Sequence, residues 1–250
     1  MASIWNATAT TNPIQLGTSL EPVTVDIYRY VNVIGEDGWI QGLEGTETRL
    51  PLCKYTKVML LETKKSRTTF KVLDGTYAGR TLSMKEENAT KYLGTVAPKS
   101  SVVEVVVTYG KYEKGWMSVA RNQTIDQQWA TVSIDGLTVR AAMNSVWGHG
   151  LFPIPPGEYS ILVPDVPHAA NMTTFYRNVE PTLRHDQVWF PIKYGNNSRY
   201  VHVGNLSDGC TTVVDLAKWA DLHEKLISHR STDKKVVGKL IVKGNPERAK

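Results

Sequence analysis

Residues 128–142 read QWATVSIDGLTVRAA, and this stretch decides the fold class. Two runs rich in β-branched and apolar residues flank Asp135 and Gly136, a dipeptide that favours the two-residue turn of a β-hairpin. The run VVEVVVT at residues 102–108 predicts a further strand just before this hairpin. We therefore expect a mainly β fold built around these strands.

The patterns that predict the hairpin also predict strands on both sides of it. Period-two alternation or short β-branched runs occur at residues 23–31, 57–61, 68–73, 158–163, 188–192, 199–203 and 235–242. Tight turns are expected at Asp74-Gly75 and at Pro155-Pro156-Gly157, because glycine and proline interrupt the strand patterns there.

Two helices are expected among these strands. Residues 83–86 (SMKE) match a capping box, in which Ser83 would cap a short helix near residues 84–93. A clearer helix is expected after Asp215, which would be its cap. Its apolar stripe has helical spacing and consists of Leu216, Trp219, Ala220, His223, Leu226 and Ile227.

The length of 250 residues suits one large domain or two small ones. Residues 97–101 (APKSS) are the best linker candidate, so we expect a β-rich accessory module at residues 1–98 and a second domain at residues 102–250. A hydrophobic content of 41% excludes disorder for most of the chain, and no apolar run is long enough to form a transmembrane segment. The first residues show no basic segment followed by an apolar run, so no Sec-type signal peptide is expected.

The net charge of +5 is concentrated in a basic C-terminal tail, where residues 230–250 hold seven basic and two acidic side chains. Such a tail either attracts a polyanion or is a solvated end that aids solubility, and we expect the second. No nucleic-acid-binding motif is visible, so the sequence predicts no nucleic-acid partner.

The two cysteines, Cys53 and Cys210, are expected to be free thiols, because they lie far apart and no disulfide framework surrounds them. Cys53 lies in LPLCKY among apolar neighbours, which favours a buried structural thiol. Cys210 lies in the polar turn LSDGCTT ahead of the predicted helix, where a reactive thiolate is expected.

Residues 199–213 (RYVHVGNLSDGCTTV) contain what a cysteine nucleophile needs. His202 can supply a base or cation that holds the thiolate. The N-terminus of the helix expected after Cys210 would lower the pKa of the thiol. The backbone amides of Gly209 and Cys210 can donate to a developing oxyanion.

This stretch resembles the catalytic domain of the L,D-transpeptidase (YkuD-like) family. Members carry a histidine at a strand end, then Ser/Thr-x-Gly-Cys, then a helix, and residues 207–210 (SDGC) match that signature. A second family segment, T-P-x-G-x-aromatic-x-Ile, is matched by residues 154–161 (IPPGEYSI) except for its leading threonine. The resemblance covers roughly residues 102–245.

The resemblance implies a β-sandwich-like domain with one main helix after the catalytic cysteine. It also implies an acyl-enzyme mechanism that uses no cofactor and no metal, on the stem tetrapeptides of peptidoglycan. The catalytic residues would be Cys210, His202, Gly209 and Ser207, and the substrate-binding residues would be Tyr200, Asp208 and Thr211. The acyl acceptor stays open between an amine, a free D-amino acid and water, which give transpeptidation, exchange and L,D-carboxypeptidase activity.

The sequence departs from the family pattern at three points. Only seven residues separate His202 from Cys210, a shorter loop than many members have, which favours small acceptors and leaves His185 as an alternative base. Asp208 stands where members often have histidine, and Thr212 where they often have arginine.

The other histidines are expected to be structural. His149 is expected in a loop and His223 on the buried side of the second helix. A zinc site made by His168, His185, His202 and Cys210 is not expected, because their spacings match no familiar ligand pattern.

The sequence thus favours a cysteine acyltransferase or peptidase that acts on the cell wall, in the periplasm or outside the cell. Without a signal peptide, export by another route or a trimmed chain is implied, and one version is an antibacterial effector with an immunity protein and a secretion machine as partners. The alternative is a non-catalytic cell-wall-binding or virion structural protein. A third candidate is an amidase or acyltransferase that uses the same residues on another substrate.

Overall fold

The computed structural model describes residues 27–148 and 150–248. The strands of the first half are β1 (Tyr28–Val31), β2 (Trp39–Glu44), β3 (Thr48–Cys53), β4 (Lys57–Lys64), β5 (Arg67–Val72), β6 (Thr81–Lys85) and β7 (Leu93–Gly94). Those of the second half are β8 (Val103–Ser118), β9 (Gln123–Ile134), β10 (Leu137–Asn144), β11 (Gly157–Leu162), β12 (Phe190–Ile192), β13 (Arg199–Val203), β14 (Thr211–Val213) and β15 (Val236–Lys243). The helices are α1 (Glu86–Tyr92), α2 (Ala170–Thr173) and α3 (Trp219–Ile227), with 3-10 turns at Thr174–Asn178 and Leu216–Lys218. Strands hold 45% of the described residues and helices 13%, so the expected mainly β class is confirmed.

The first seven strands form one sheet in the order β3-β2-β6-β5-β4-β1-β7. Alternate side chains along its strands, such as Phe70 and Val72 on β5, point to one face and build an apolar core. The strands expected at residues 57–61 and 68–73 are confirmed as β4 and β5. Of the strand expected at residues 23–31, positions 23–26 lie outside the described residues and β1 covers most of the rest.

The short helix expected near residues 84–93 is present as α1, but its predicted cap is wrong. Ser83 lies inside β6, where it pairs with Leu43 and Thr69. Lys85 is the N-cap residue and makes no side-chain capping hydrogen bond. The strand pairing continues to Lys85, opposite Arg67, and so occupies the residues that a capping box would need.

The second half of the chain closes into an eight-stranded barrel in the order β10-β14-β13-β12-β11-β15-β8-β9. The hairpin predicted from residues 128–142 is confirmed, with Ile134 opposite Leu137. Asp135 and Gly136 have φ angles of 42° and 77°, as the two-residue turn requires. Two of the pairings are parallel, β13 with β14 and β15 with β8.

This closure differs from the β-sandwich that the family resemblance implies. Strands β8 and β9 are long, with 16 and 12 residues. Their pairing shifts register between Tyr109 and Tyr112 and again between Glu113 and Trp116. Such irregularities bend and twist a strand, which allows the sheet to curl until its edges meet.

The first sheet packs directly against the barrel. Trp39, Cys53 and Tyr55 of the first half belong to the same apolar core as the barrel interior. The expected linker is not a free segment either, because Lys99 is bonded on both sides, its N–H to the carbonyl of Ser228 and its carbonyl to the N–H of Arg230. The two halves therefore share a continuous interior.

The basic C-terminal segment is part of the fold rather than a solvated end. Residues 236–243 form β15, between β11 and β8. Arg230 is only 2% exposed, and Lys239 forms an ion pair with Glu158 at 2.7 Å. The guanidinium of Arg248 lies 4.2 Å from the ring centre of Trp147. The segment is therefore folded rather than a free tail, while the side chains of Lys235, Lys239 and Lys243 are exposed to solvent.

No helix within residues 27–148 and 150–248 combines the length and the apolarity needed to cross a membrane.

Candidate active site

The parallel pairing of β13 and β14 brings the predicted catalytic residues to one surface. His202 lies opposite Thr212, and Val201 lies opposite Thr211. Because side chains alternate along a strand, His202 and Thr212 project to one face while Val201 projects into the barrel core. Cys210, two residues before Thr212, shares the face of His202, and both residues line one cavity of about 530 Å³.

A slightly larger cavity, of about 580 Å³, lies where the loop at residues 73–78 meets β11 and β15. Its walls contain lysine and aspartate side chains but neither a cysteine nor a histidine. A third cavity, of about 650 Å³, is lined by residues 65–67 and 85–87 and also lacks cysteine and histidine. Of these three cavities, only the one beside Cys210 contains the residues that the sequence predicted to be catalytic.

The turn that presents Cys210 is held by a network of polar contacts. The hydroxyl of Ser207 donates to the carbonyl oxygen of Cys210 at 2.8 Å, and the N–H of Ser207 donates to Oγ of Ser145 at 2.9 Å. Gly209 has a φ of 83°, and a Cβ at this position would collide with the carbonyl oxygen of Phe152. Glycine is therefore required here for the close approach of these two backbone segments.

The helix expected after Asp215 is present, but its expected effect on the Cys210 thiol is not supported. Residues Thr211–Val213 form β14 and pair with both β13 and β10. The helix α3 begins only at Trp219, and the side chain of Asp215 accepts a hydrogen bond from the N–H of Arg140 instead of capping. The dipole of α3 cannot lower the pKa of a thiol that lies a strand and a turn away.

The thiol of Cys210 is buried, with 6% of the residue exposed. Burial raises its pKa to about 11, partly opposed by a hydrogen bond from the backbone N–H of Tyr200 and by the positive charge of Arg199. Asp208 raises the pKa further. Cys210 is consequently a neutral thiol at pH 7 in this state, and the expected resting thiolate is not supported.

Both ring nitrogens of His202 have partners other than the thiol. Nδ1 lies 2.9 Å from the carbonyl oxygen of Val203, which can only accept, so Nδ1 carries the proton. Nε2 lies 2.9 Å from the hydroxyl of Thr212, which therefore donates to it. Burial lowers the pKa of His202 to about 4, so the ring is neutral. Among the described contacts, no hydrogen bond joins His202 to Cys210.

Three rings stack along the wall of this cavity. His168 stacks on Trp189 with 3.9 Å between ring centres, and Trp189 stacks on His202 with 4.0 Å between ring centres. Tyr200 meets the edge of His168 at 4.8 Å. Nε2 of His168 is buried without a hydrogen-bond partner in the described chain. The stack fixes the plane of the His202 ring, which a reaction at the thiol would need.

The remaining predicted residues fall into three positions. Asp208 lines the cavity, and Tyr200 contacts its aromatic wall. Ser207 and Gly209 shape the turn behind Cys210 rather than the cavity surface. Thr211 is fully buried on the core side of β14, so its predicted substrate contact is wrong, because alternation places it opposite to Cys210.

The alternative base, His185, lies away from the cavity. Its ring lies 4.5 Å from that of His223, and its N–H donates to the carbonyl of Glu36 in the first half of the chain. His223 is buried as expected, but neither of its ring nitrogens has a partner among the described residues. His149 lies outside the described residues.

Metal ligation finds no support in the geometry. No group of three or more histidine, cysteine, aspartate or glutamate side chains in the described part of the chain is placed to hold a metal ion. Cys53 and Cys210 are both free thiols, as expected. Cys53 is buried, and burial raises the pKa of its thiol, which suits the structural role predicted for it.

Sequence reasoning missed several residues of the cavity. Arg121 comes from the β8–β9 connection, and Trp189 precedes β12, so neither lies near Cys210 in the sequence. Thr212 was noted as a departure from the family pattern, but not as the partner of His202. An arrangement that joins distant segments gives no local sequence signal, and only the barrel topology brings these residues together.

Comparison with protein-family models, with curated proteins and with solved structures found no match.

Proposed function

We propose that this protein is a cysteine acyltransferase or peptidase that acts on peptidoglycan stem tetrapeptides through a thioester on Cys210. The proposal is carried by one observation: His202 on β13 and Cys210, directly before the parallel strand β14, line the same cavity. The substrate class comes from the family signature in residues 207–210.

The reaction begins with a neutral thiol. Sγ of Cys210 bonds to the carbonyl carbon of the amide between diaminopimelate and D-alanine, and the thiol proton ends on the departing amine as the C–N bond breaks. His202 is the group suited to relay that proton, since its ring lines the cavity in the neutral form. To reach the thiol proton, Nε2 must exchange its bond to Thr212 for one to Sγ.

The thioester is then resolved by an acceptor. An amine forms a new amide, whereas water forms a carboxylate, and in both cases the acceptor returns a proton to Sγ of Cys210. The backbone N–H of Cys210 is the proposed donor to the oxyanion of both steps, because Cys210 lines the cavity and Gly209 does not.

The experiment is mass spectrometry of tetrapeptide muropeptides incubated with wild type, with Cys210→Ala and with Cys53→Ala. Cys53→Ala is the matched control, because it removes the other buried thiol, which lies at the contact with the first sheet. We expect loss of D-alanine, a 3→3 cross-link or exchange of D-alanine for an added D-amino acid with wild type and Cys53→Ala. Unchanged muropeptides with folded wild type would exclude this function.

One observation favours the alternative of a non-catalytic cell-wall-binding or virion structural protein. In the resting state both His202 nitrogens are occupied and the thiol pKa is raised to about 11, an arrangement that binding alone would tolerate. Equal binding of wild type and Cys210→Ala to purified peptidoglycan, without any change in muropeptides, would establish this alternative.

A protein that acts on the proposed substrate would work in the periplasm or outside the cell. A more specific form of the proposal is that the protein is an antibacterial effector. We expect expression directed to the periplasm by a fused signal sequence to stop growth, and cytoplasmic expression or Cys210→Ala to be harmless. Equal toxicity of Cys210→Ala in the periplasm would contradict the effector proposal.

A further inference from the structure

Arg121 is a fixed cation in the wall of the Cys210 cavity. Its Nε donates to the hydroxyl of Tyr176 at 2.9 Å, and Tyr176 is itself fully buried. The Tyr176 hydroxyl also accepts a hydrogen bond from the N–H of Asn205 at 2.8 Å. The backbone N–H of Arg121 donates to Oγ of Ser118 at 3.3 Å. The backbone of Arg121 and the Nε of its side chain are therefore both held in place.

The rest of the guanidinium is held by rings rather than by acids. Its central carbon lies 5.3 Å from the ring centre of Phe175 and 5.8 Å from that of Tyr176. No carboxylate forms an ion pair with Arg121, and no group within the described residues accepts a hydrogen bond from its Nη1 or Nη2. Two pairs of N–H donors thus remain for a ligand.

The charge of the cavity points to the kind of ligand. Arg121 and Asp208 are the charged side chains among the described residues that line it, and Asp208 is exposed while Arg121 is half-buried. A planar guanidinium with free Nη groups matches the two oxygens of a carboxylate, and partial burial strengthens such a bond.

We propose that Arg121 binds a carboxylate of the substrate and so determines which peptides enter the cavity. This inference rests on the proposed function, because it takes the stem peptide as the ligand. The peptide offers more than one carboxylate: the C-terminal one of the departing residue, the side-chain one of diaminopimelate and the α-carboxylate of the γ-linked glutamate. The structure specifies the chemistry that these groups share, and the experiment distinguishes between them.

The test measures binding without chemistry, by titration calorimetry on Cys210→Ala protein. The probes are the tetrapeptide and three forms of it, each with one carboxylate converted to a carboxamide of the same shape. The proteins are Cys210→Ala alone and Cys210→Ala combined with Arg121→Gln, with Arg121→Lys or with the control Arg80→Gln. Arg80 is an exposed arginine directly before β6 that pairs with Glu44 at 3.3 Å and lines none of the cavities of about 530, 580 and 650 Å³.

One amidated peptide is expected to bind Cys210→Ala at least about tenfold more weakly than the tetrapeptide. Arg121→Gln should leave the affinity for that peptide unchanged, because the carboxylate that Arg121 binds is already missing from it. The affinity for the tetrapeptide should fall by the same factor of about ten. Arg121→Lys should lose less affinity than Arg121→Gln, since lysine keeps the positive charge but lacks the paired N–H donors of a guanidinium. Arg80→Gln should leave all four affinities unchanged. Comparison of the four peptides on the Arg121 protein does not depend on how well any Arg121 variant folds.

The proposal is overturned if all three amidated peptides bind as tightly as the tetrapeptide, if Arg121→Gln weakens every peptide equally, or if no peptide binds. Its fate is separable from that of the proposed function. If peptide binding depends on Arg121 but wild type forms no thioester, the role of Arg121 is supported and the proposed enzymatic function is contradicted. If wild type turns the peptide over and Arg121→Gln has the same KM, the enzymatic function is supported and the role of Arg121 is contradicted.

Discussion

Cys210 is held as a thiol by burial, while two nearby groups favour the thiolate. The N–H of Tyr200 and the guanidinium of Arg199 both lower its pKa, yet the net value stays near 11 because desolvation is the largest effect. Nε of Arg199 is buried without a partner in the described chain and lies against Gly209, at 2.7 Å from where a Cβ would be. The cation beside the thiol is therefore Arg199, rather than the histidine that the sequence suggested.

Alkylation of Cys210 should follow this pKa. Because the thiolate is the nucleophile, the rate with iodoacetamide should rise about tenfold per pH unit from pH 7 to pH 9 without levelling off. Site-resolved mass spectrometry separates Cys210 from Cys53, and Arg199→Gln should slow the reaction at Cys210 further. A rate that is already constant at pH 7 would show that the thiolate predominates and contradict the account.

The sequence predicted that His202 and Cys210 would lie close together, but it did not predict the hydrogen bonds that His202 makes. The short spacing from His202 to Cys210, with β-patterned residues before it, was enough to place both on one cavity. The bond from Thr212 to His202 depends on the register of a parallel pairing. Because β14 has only three residues, its pattern is too short to predict the strand or its register.

Among the elements, α3 shows where local pattern and tertiary pairing compete. The apolar spacing predicted the helix correctly, and Trp219, His223, Leu226 and Ile227 are buried as expected. Its predicted side-chain cap is wrong, because residues Leu216–Lys218 form a 3-10 turn and the carboxylate of Asp215 accepts a hydrogen bond from the N–H of Arg140 on β10. A tertiary hydrogen bond to a neighbouring strand thus replaces the local bond that a capping side chain would make.

Burial of neutral histidines makes the fold sensitive to acid. The pKa of His202 is lowered to about 4 by burial, and that of His223 on α3 is lowered well below its usual value by burial, by His185 and by the charge of Lys54. The unfolded chain therefore binds protons that the folded chain does not. The stability that these neutral rings contribute is present above pH 6.5 and is lost as the pH falls towards 4.

We expect the free energy of unfolding to fall by about 3 kcal/mol from pH 7 to pH 4 because of His202 alone. His223→Leu should reduce the total pH dependence, since a neutral apolar side chain replaces a buried group that must stay unprotonated. Urea unfolding at a series of pH values measures both. If His223→Leu keeps the full wild-type pH dependence, His223 does not contribute to it.

For the whole molecule, the contact between the first sheet and the barrel is the feature that the sequence did not predict. Arg230 is 2% exposed and donates to the carbonyl oxygens of Ile227 and His229 at the end of α3 and to that of Lys54 in the first half. Lys54 and Tyr55 also bond to the carboxylate of Glu224, at 2.7 and 3.1 Å. A domain division drawn from a linker pattern contains no information about such contacts.

Because the two halves share one interior, they should unfold together. Replacing Arg230 with alanine removes three hydrogen bonds and a buried side chain, and should cost about 2–4 kcal/mol of unfolding free energy. Arg80→Ala, at an exposed position, should cost less than about 0.5 kcal/mol. Two separate transitions in wild-type denaturant unfolding, by fluorescence and circular dichroism, would show that the halves are independent.

The barrel closure also lies beyond what the pattern of strands contains. Seven of the eight barrel strands were predicted, since each has period-two or β-branched character of its own, whereas the three-residue strand β14 was not. Whether eight such strands close or stay open depends on register shifts, such as those between Tyr109 and Tyr112 on β8, which arise only when neighbouring strands are in place.

The most direct test of the central claim is intact-protein mass spectrometry after brief mixing with the stem tetrapeptide. The account predicts a covalent adduct with the mass of the acyl tripeptide, mapped to Cys210 by digestion, present in wild type and in Cys53→Ala and missing in Cys210→Ala. An adduct on another residue, or none on folded wild type that binds the peptide, would contradict it.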